Sequence, residues 1–283
     1  MKILCCPDCH ASLSNNKCNS CMKIYPDFGG IISPVSNPIL QEEIKNIFLR
    51  EKTLKDKIKN FIPIPDERIW SPDSKKLLKK ILIEKNPDSP NTYVINMGSG
   101  VESFYKKIFI SFKSLIRIGI PHSGYVNAYS DAMSLPLKSN SVDLFISSSV
   151  IEHLPDPEKA VSELFRTIKP GGLVYAEIPF IGAYHMAPND YQRYTISGIE
   201  ALFSRHGFLF EKKGICSGPV TAVVLLIQHA IVEAIPFGPI QFLLRVILTW
   251  LFHPLKYLDY FFSRLKWGEY LACNFFYLGR KPT

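Results

Sequence analysis

Five of the seven cysteines, Cys5, Cys6, Cys9, Cys18 and Cys21, fall within the first 21 residues, while Cys216 and Cys273 stand alone. Cys6-Pro7-Asp8-Cys9 and Cys18-Asn19-Ser20-Cys21 form two C-x-x-C pairs separated by eight residues. Each pair can set both sulfurs on one side of a tight knuckle, and two knuckles close a tetrahedron around Zn²⁺. A redox role is the rival reading, but two pairs this close favour metal. So short a stretch cannot bury a core of its own, so bound metal would supply most of its folding free energy. Four thiolates leave no open coordination position, which makes the expected role structural; Cys5 is the spare thiol. No signal peptide is expected, since Met1-Lys2-Ile3-Leu4 is too short an apolar run. Clustered thiols used as ligands suit a reducing, cytoplasmic compartment.

Two further stretches could do chemistry. Tyr93-Val94-Ile95 leads into Asn96-Met97-Gly98-Ser99-Gly100, an apolar run followed by Gly-x-Gly, where a backbone can pass close to a nucleotide or an amino-acid moiety. Alone, a tight turn would explain it as well. The second stretch, Tyr184-His185-Met186-Ala187-Pro188-Asn189-Asp190-Tyr191-Gln192-Arg193-Tyr194, is dense in His, Asp, Arg and Tyr. A loop pinned by Asp–Arg and Tyr hydrogen bonds is its structural alternative.

The elements that would position these residues alternate. Strands are predicted over 93–95, 115–120, 126–129, 144–149 and 173–178. Helices are predicted over 102–109 and 157–168, the latter stopped by Lys169-Pro170-Gly171-Gly172. Alternation implies a mostly parallel sheet with its ligand site at the C-terminal strand ends. Upstream, prolines break residues 34–92 into pieces, with helices predicted over 41–62 and 74–85. The lysines at 75, 76, 79 and 80 read as a solvated face.

Ser130-Asp131-Ala132 … Leu135-Pro136-Leu137, Ser141-Val142-Asp143-Leu144, Val150-Ile151-Glu152-His153-Leu154 and Leu164-Phe165-Arg166-Thr167-Ile168-Lys169-Pro170-Gly171-Gly172 resemble, in order, the class I S-adenosylmethionine-dependent methyltransferases of type 11. The resemblance covers residues 92–214. The cysteine segment, with Tyr25-Pro26-Asp27-Phe28-Gly29-Gly30-Ile31-Ile32 behind it, resembles the small zinc ribbons found as methyltransferase activator subunits or fused ahead of methyltransferase domains. The implied fold is α/β: a Rossmann-like seven-stranded sheet whose last strand is antiparallel, with 208–213 and 274–279 as strands six and seven. The expected organisation is a ribbon over 1–33, a helical linker over 34–91, a methyltransferase domain over 92–218 plus 269–283, and a hydrophobic helical insertion over 219–268.

By that resemblance Gly98, Ser99 and Gly100 carry the backbone around the methionine part of S-adenosylmethionine, and Asn96 stands where the family usually has an acidic residue. Asp131 and Ala132 lie beside the adenine, with Asp131 accepting from its exocyclic amine. Ser147, Ser148 and Ser149 lie near the transferred methyl, and His153 shapes the following loop. On the acceptor side His185 is the expected general base, Asp190 orients it or binds acceptor, and Tyr184, Arg193 and Tyr194 line the acceptor, Arg193 toward an anionic group. Two departures stand out. No carboxylate occurs between Lys113 and Tyr129, where the family carries its ribose-binding acid, and Val101-Glu102 replaces the third glycine. A charged hydrogen-bond partner is worth about 1.5–3 kcal/mol. His122 or Ser123 could compensate; otherwise the domain is a non-catalytic, membrane-associated binding module.

The formal charge is +8, and four thiolates around Zn²⁺ bring it to +6. It is spread thinly: residues 93–214 carry 12 basic and 11 acidic side chains, a balance of +1. That disfavours nucleic acid, and with it an rRNA guanine methyltransferase, which is the enzymatic alternative. Residues 215–283 are 41 of 69 hydrophobic. The run 215–232 is uncharged, and 240–252 is apolar apart from a narrow row of Gln241, Arg245 and Thr249 that His253 continues. Neither reaches the span of about 20 apolar residues that crossing a bilayer needs. A helical cap and monotopic attachment at the inner face of a membrane remain open, with Trp250, Tyr257, Tyr260 and Trp267 near Lys256, Arg264 and Lys266 as interface residues. Either suits an O- or N-methyl acceptor that is a small molecule, a sugar or a lipid-linked intermediate.

Overall fold

The computed structural model describes residues 3–28, 30–49, 71–98, 115–119, 126–186 and 188–283. Ser99, Gly100, the helix expected over 102–109, His122 and Ser123 lie outside the described residues, as does the helix expected over 41–62 beyond residue 49.

The chain opens with two short hairpins, β1 (Leu13–Ser14) with β2 (Lys17–Cys18) and β3 (Asp27–Phe28) with β4 (Ile31–Ile32). Helices α1 (Pro38–Leu49) and α2 (Pro72–Lys85) follow. Ser71 caps α2 by accepting from Ser74 N, and Pro72 needs no donor in the first turn. The large sheet comprises β5 (Val94–Met97), β6 (Ile116–Gly119), β7 (Ala128–Tyr129), β8 (Val142–Ser148), β9 (Ile168–Pro179), β10 (Leu209–Ser217) and β11 (Asn274–Arg280). Their order is β10-β11-β9-β8-β5-β6-β7, all pairs among β5–β9 parallel and β11 antiparallel to both neighbours. This is the seven-stranded Rossmann-like sheet that the resemblance implied.

Central strands such as β5, Val-Ile-Asn-Met and buried throughout, need cover on both faces. Helices α3 (Pro157–Thr167) and α4 (Ile196–Arg205) cover one, packing Ala160, Val161, Leu164, Leu202 and Phe203 on Phe145, Val174 and Tyr277. Helix α2 covers the other through Leu78, Ile81 and Leu82.

One boundary differs from expectation. Helix α3 ends at Thr167 with Ile168 as its cap, immediately before Lys169-Pro170-Gly171-Gly172 as expected, but β9 begins at Ile168, five residues earlier than the strand expected over 173–178. The cation at the helix end is Lys281, whose Nζ donates to Phe165 O (2.7 Å) and Ile168 O (2.9 Å) from beyond the last strand. Lys169 instead pairs with Asp143 at 2.7 Å.

The N-terminal unit is stitched to the sheet domain. Leu4 bridges Leu137, Cys5 N donates to Pro136 O and Lys138 N to Ile3 O (both 3.0 Å). Phe28 meets Tyr129 edge-on, and Val35, Ile44, Val126 and Tyr129 form a small core there. Ribbon and α1 thus shield the edge strand β7, which would otherwise offer unpaired backbone groups.

Between β10 and β11 lie α5 (Pro219–Glu233), α6 (Gly238–Phe252), 3₁₀ turns and the short α7 (Asp259–Phe262). The uncharged run from 215 is therefore not one helix: its first residues finish β10, and Gly218-Pro219 starts α5. Buried Asp259 fixes that start, accepting from Val220 N (2.7 Å), Thr221 N (2.9 Å) and Thr221 Oγ1 (2.6 Å). The polar row of α6 runs along its contact with α5, buried at Thr249, half-buried at Gln241 and exposed at Arg245. Gln228 Nε2 donates to Thr249 Oγ1 at 2.7 Å, Arg245 pairs with Glu233 at 3.1 Å, and Gln241 Nε2 donates to Ile235 O at 2.6 Å. Leu243, Ile247, Trp250 and Leu251 are half or more exposed. Among the described residues no helix is long and apolar enough to cross a membrane.

Candidate functional site

The C-terminal ends of four neighbouring strands converge. Gly98 follows β5 with φ +80°, and a Cβ there would stand 2.1 Å from Val150 Cγ2. Gly119 ends β6 with φ +138°, its Cβ position 3.2 Å from Gly98 N. Both backbones therefore need glycine, and Gly98 N donates to Ile118 O (3.1 Å) while Ser130 N donates to Gly119 O (3.3 Å). Asn96 is buried within β5, two residues before this crossing. Asp131 Oδ1 accepts from Met133 N at 2.8 Å, folding an Asx turn with Ala132 at its centre.

On β8, Ser147 is buried, Ser148 Oγ donates to Glu177 Oε2 (2.8 Å), and Ser149, with φ +53°, donates its N–H to Glu177 O (2.9 Å). Glu177 is itself buried and also accepts from Tyr175 OH at 2.7 Å. Among the described residues the buried hydroxyls of Ser130 and Ser147 find no hydrogen-bond partner. Unpaired buried hydroxyls at strand ends are groups that an incoming polar ligand satisfies.

The loop after β9 supplies the second half. Asp190, its side chain 1% exposed, is held by Arg193 Nη1 and Nη2 at 2.6 Å each and by His185 N at 2.9 Å. Burial pushes this carboxyl upward, but the Arg193 and His185 hydrogen bonds and charges outweigh it and hold it at about 2. Burial depresses the His185 imidazolium, against the pull of Ala183 O and Asp190, so His185 is neutral near pH 7. His185 Nδ1 lies 3.1 Å from Ala183 O and His153 Nδ1 2.6 Å from Asn189 O; the two rings meet edge-on at 4.8 Å.

Asp190 therefore grips the backbone of His185 and the guanidinium of Arg193, and Arg193 spends its fork on Asp190. Tyr184 is exposed, and Tyr194 OH donates to Gln192 Oε1. The structure brings His185, Asp190 and Arg193 together and adds two residues whose part the sequence did not disclose, Glu152 and Glu177. Glu152 is buried beside His153, and its carbonyl accepts from Tyr191 N at 3.0 Å. Only its place in the Glu-His pair could have flagged it.

The four thiols Cys6, Cys9, Cys18 and Cys21 gather with all Sγ atoms within 4.8 Å of one another, Cys6 to Cys21 at 3.7 Å and Cys9 to Cys18 at 3.4 Å. Ser20 N and Cys21 N both point at Cys18 Sγ (3.4 Å), the N–H···S pattern of a knuckle that stabilises thiolate. This donor set fits a tetrahedral Zn²⁺. Cys5, buried, stands outside it.

Residues 120–176 match the family model described as a methyltransferase domain. An uncharacterized methyltransferase of Mycobacteroides abscessus is 45% identical over 53 residues, 19% of this chain and 20% of that protein. One from Mycobacterium bovis is 52% identical over 42 residues, 15% and 16% of the respective lengths. The chain thus spans a fifth or less of the length of these curated relatives. Among solved structures, a putative sarcosine dimethylglycine methyltransferase from Galdieria sulphuraria is similar with a TM-score of 0.49 at 12% identity, covering 85% of this chain and 98% of that one.

Proposed function

We propose that this chain, which carries a class I methyltransferase domain, transfers a methyl group from S-adenosylmethionine to an oxygen or nitrogen of a small-molecule, sugar or lipid-linked acceptor at the inner face of a membrane. The observation that carries the reading is the cradle at the strand ends: Gly98, where a Cβ would collide with Val150, crossing Gly119, where it would press on Gly98 N, with the Asp131 turn and Ser147–Ser149 beside them. When bound, the cofactor supplies an electrophilic methyl on a sulfonium, so the protein's tasks are to position the acceptor and remove its proton.

Gly98, with Ser99 and Gly100, and the hydroxyls of Ser130 and Ser147 would hold the methionine and ribose parts. Asp131 keeps Oδ2 for the adenine amine because Oδ1 is engaged by Met133 N. His185, neutral, accepts the acceptor's proton; Asp190 positions it through the backbone N–H. Tyr184 and Tyr194 rim the acceptor. The cysteine cluster would hold one structural Zn²⁺ and keep the ribbon docked on the loop that carries Asp131.

The membrane part rests on the insertion's polarity. Its helices bury the Gln228–Thr249 pair between them, set the exposed Arg245–Glu233 pair at the edge of that contact, and leave Leu226, Ile227, Ile231, Leu243, Ile247, Trp250 and Leu251 facing outward. Helices covered by water show the opposite arrangement. Exposed Trp250, Tyr257, Tyr260, Trp267 and Tyr270, with exposed Arg264 and Lys266 beside them, suit a headgroup layer.

Calorimetry with S-adenosylmethionine and S-adenosylhomocysteine tests the core of the reading. Saturable binding that Gly98→Val abolishes is expected, since the new side chain collides with Val150 in a backbone conformation that L-residues avoid. Absence of binding at about 1 mM cofactor, a free energy near −4 kcal/mol, would sink it.

A further inference from the structure

On the cofactor reading proposed above, we infer that Glu163 and Arg166 of α3 are positioning residues for adenine. Neither touches the ligand. Together they hold the Asp131 turn where it meets the adenine amine, and so they set the preference for an aminopurine over an oxopurine.

The two residues lie one turn apart on α3, with side chains 15% and 19% exposed. Arg166 Nε donates to Glu163 Oε1 at 2.7 Å, and Nη2 to Glu163 Oε2 at 2.8 Å. The remaining donors of the guanidinium reach across to the segment after Asp131. Nη2 donates to Leu135 O (3.0 Å), and Nη1 to Leu137 O (2.8 Å) and Ser139 Oγ (3.2 Å). All five N–H groups of the arginine are thereby used. Glu163 Oε2 also accepts from Leu135 N at 2.8 Å, so both backbone groups of Leu135 are held by the pair. A guanidinium is a rigid planar fork, and catching carbonyls two residues apart fixes the path of the segment as well as its distance from α3.

What the fork fixes is the end of the Asp131 turn. Met133 N donates to Asp131 Oδ1 (2.8 Å) and Ser134 N to Asp131 O (3.2 Å), closing the turn one residue before Leu135. The other edge of the segment lies on the N-terminal unit: Ser134 Oγ donates to Pro7 O (3.2 Å), Cys5 N to Pro136 O and Lys138 N to Ile3 O (both 3.0 Å). Residues 135 and 137 thus bond toward α3 while 134, 136 and 138 bond toward the ribbon. A slide along either neighbour breaks bonds on both. Helix α3 is the wall anchored in the sheet domain, through Ala160, Val161 and Leu164, so its pair carries the register of the sheet to the turn.

Leu135 and Leu137 are fully buried, so carbonyls released from Arg166 have to find new partners where water is scarce, and the segment shifts to find them. The shift matters more in this chain because no carboxylate occurs between Lys113 and Tyr129 to take the ribose hydroxyls, which leaves polar recognition to lean on the Asp131 turn. Asp131 Oδ2 accepts from an exocyclic amine but repels the oxygen that an oxopurine carries at the same place. A displacement of about 1 Å takes it out of hydrogen-bond range and weakens both effects together. The preference between the two bases is therefore the quantity most sensitive to the clamp.

Calorimetry on the full, zinc-loaded chain compares S-adenosylhomocysteine with S-inosylhomocysteine, in which oxygen replaces the amine. The wild type should prefer the adenosyl ligand by about 10-fold or more, the worth of one charged hydrogen bond, and Asp131→Ala should bring the ratio close to one. Arg166→Lys keeps the charge but replaces the fork by a point donor, and should lower the ratio at least about 5-fold with a cooperative melt and full zinc content retained. Glu163→Gln keeps an acceptor for Leu135 N while loosening Arg166, and should lower it by about 2-fold or more. A merely structural role weakens both ligands alike and leaves the ratio where it was. An unchanged ratio in folded Arg166→Lys and Glu163→Gln, beside a lost preference in Asp131→Ala, overturns the clamp and leaves the cofactor reading intact. No preference in the wild type, or an unchanged one in Asp131→Ala, refutes the adenine assignment of the turn and the clamp's role with it. Where neither clamp variant folds, the wild type decides: hydrogen exchange at 134–138 should slow more under saturating S-adenosylhomocysteine than under saturating S-inosylhomocysteine, and equal protection overturns the inference.

Discussion

Leu243 and Ile247 lie one turn apart on the outer face of α6, 57% and 50% exposed, and neither packs on the domain. In the proposed lipid-facing hairpin, substituting both by Glu removes apolar burial that exists only on the membrane. Complete burial of such a side chain is worth about 1.5–3 kcal/mol, so the exposed half of each contributes about 1 kcal/mol. Two carboxylates brought to an anionic surface add roughly 1 kcal/mol of unfavourable energy each. The sum, about 4 kcal/mol, corresponds to nearly a thousandfold loss of vesicle partitioning at about 1.4 kcal/mol per factor of ten. The assay is cosedimentation with vesicles of phosphatidylcholine and phosphatidylglycerol at low and high salt. Lys79→Gln with Lys80→Gln, on the exposed side of α2, makes the same change in net charge and serves as control. The Glu pair should abolish binding at both salt concentrations with the melting temperature nearly unchanged, while the control acts only at low salt, where surface charges are weakly screened. A loss below about threefold, or an equal loss in the control, would refute the argument, because burial of that size cannot be so small.

Three other outcomes follow from contacts at the site and its supports. Asp190, held at about 2 against an unfolded value near 3.9, favours the folded state above the unfolded value and loses that contribution as pH falls from about 4 toward 2; the difference is about 2.5 kcal/mol. Asp190→Asn also strands Arg193, so urea unfolding at pH 7 should show a loss of about 3–5 kcal/mol, and a loss under about 0.5 would reject the clamp. Stripping zinc with a chelator should speed hydrogen exchange not only in the ribbon but at residues 134–138, because Cys5 N and Ile3 O pair with that stretch; exchange confined to residues 3–33 would separate ribbon from cofactor loop. Asp259→Ala leaves Val220 N and Thr221 N at the start of α5 without their buried acceptor, so cleavage by protease within 219–268 should accelerate while β11 stays protected, at a cost of about 1–3 kcal/mol.

The sheet was legible because its evidence is local. Short apolar runs ending in small residues mark β5, β6 and β8, and the apolar spacing of Ala160, Val161, Leu164 and Phe165 marks α3. The stop after α3 was legible to within a residue, but the start of β9 was not: Lys281, more than a hundred residues away, answers the carbonyls at the helix end, and Gly171 and Gly172 join the strand. The site was half legible for the same reason. His185, Asp190 and Arg193 stand out by density in one loop, but the neighbours they meet, Glu152 and His153, come from a different turn, and a single sequence carries no signal for that meeting.

The insertion shows why periodicity alone does not say which way a helix faces. Gln241, Arg245 and Thr249 form a narrow polar row, and the usual inference puts such a row in water because water is assumed on the polar side. Pairing reverses it at one end of the row: Gln228 of α5 and Thr249 of α6 are both buried and bonded at 2.7 Å, while the Arg245–Glu233 pair lies at the solvent edge of the same contact. A single buried hydrogen bond contributes about 1 kcal/mol, whereas leaving one large apolar side chain exposed forgoes about 1.5–3. With Leu243, Ile247, Trp250 and Leu251 all outward on one helix, turning α6 by half would gain more in water than the seam is worth. On the proposed reading an apolar environment covers the outer face, and there the polar groups have no better place than against each other. In the proposed function, the outer face of α6 would then be the approach for an acceptor with a long apolar part.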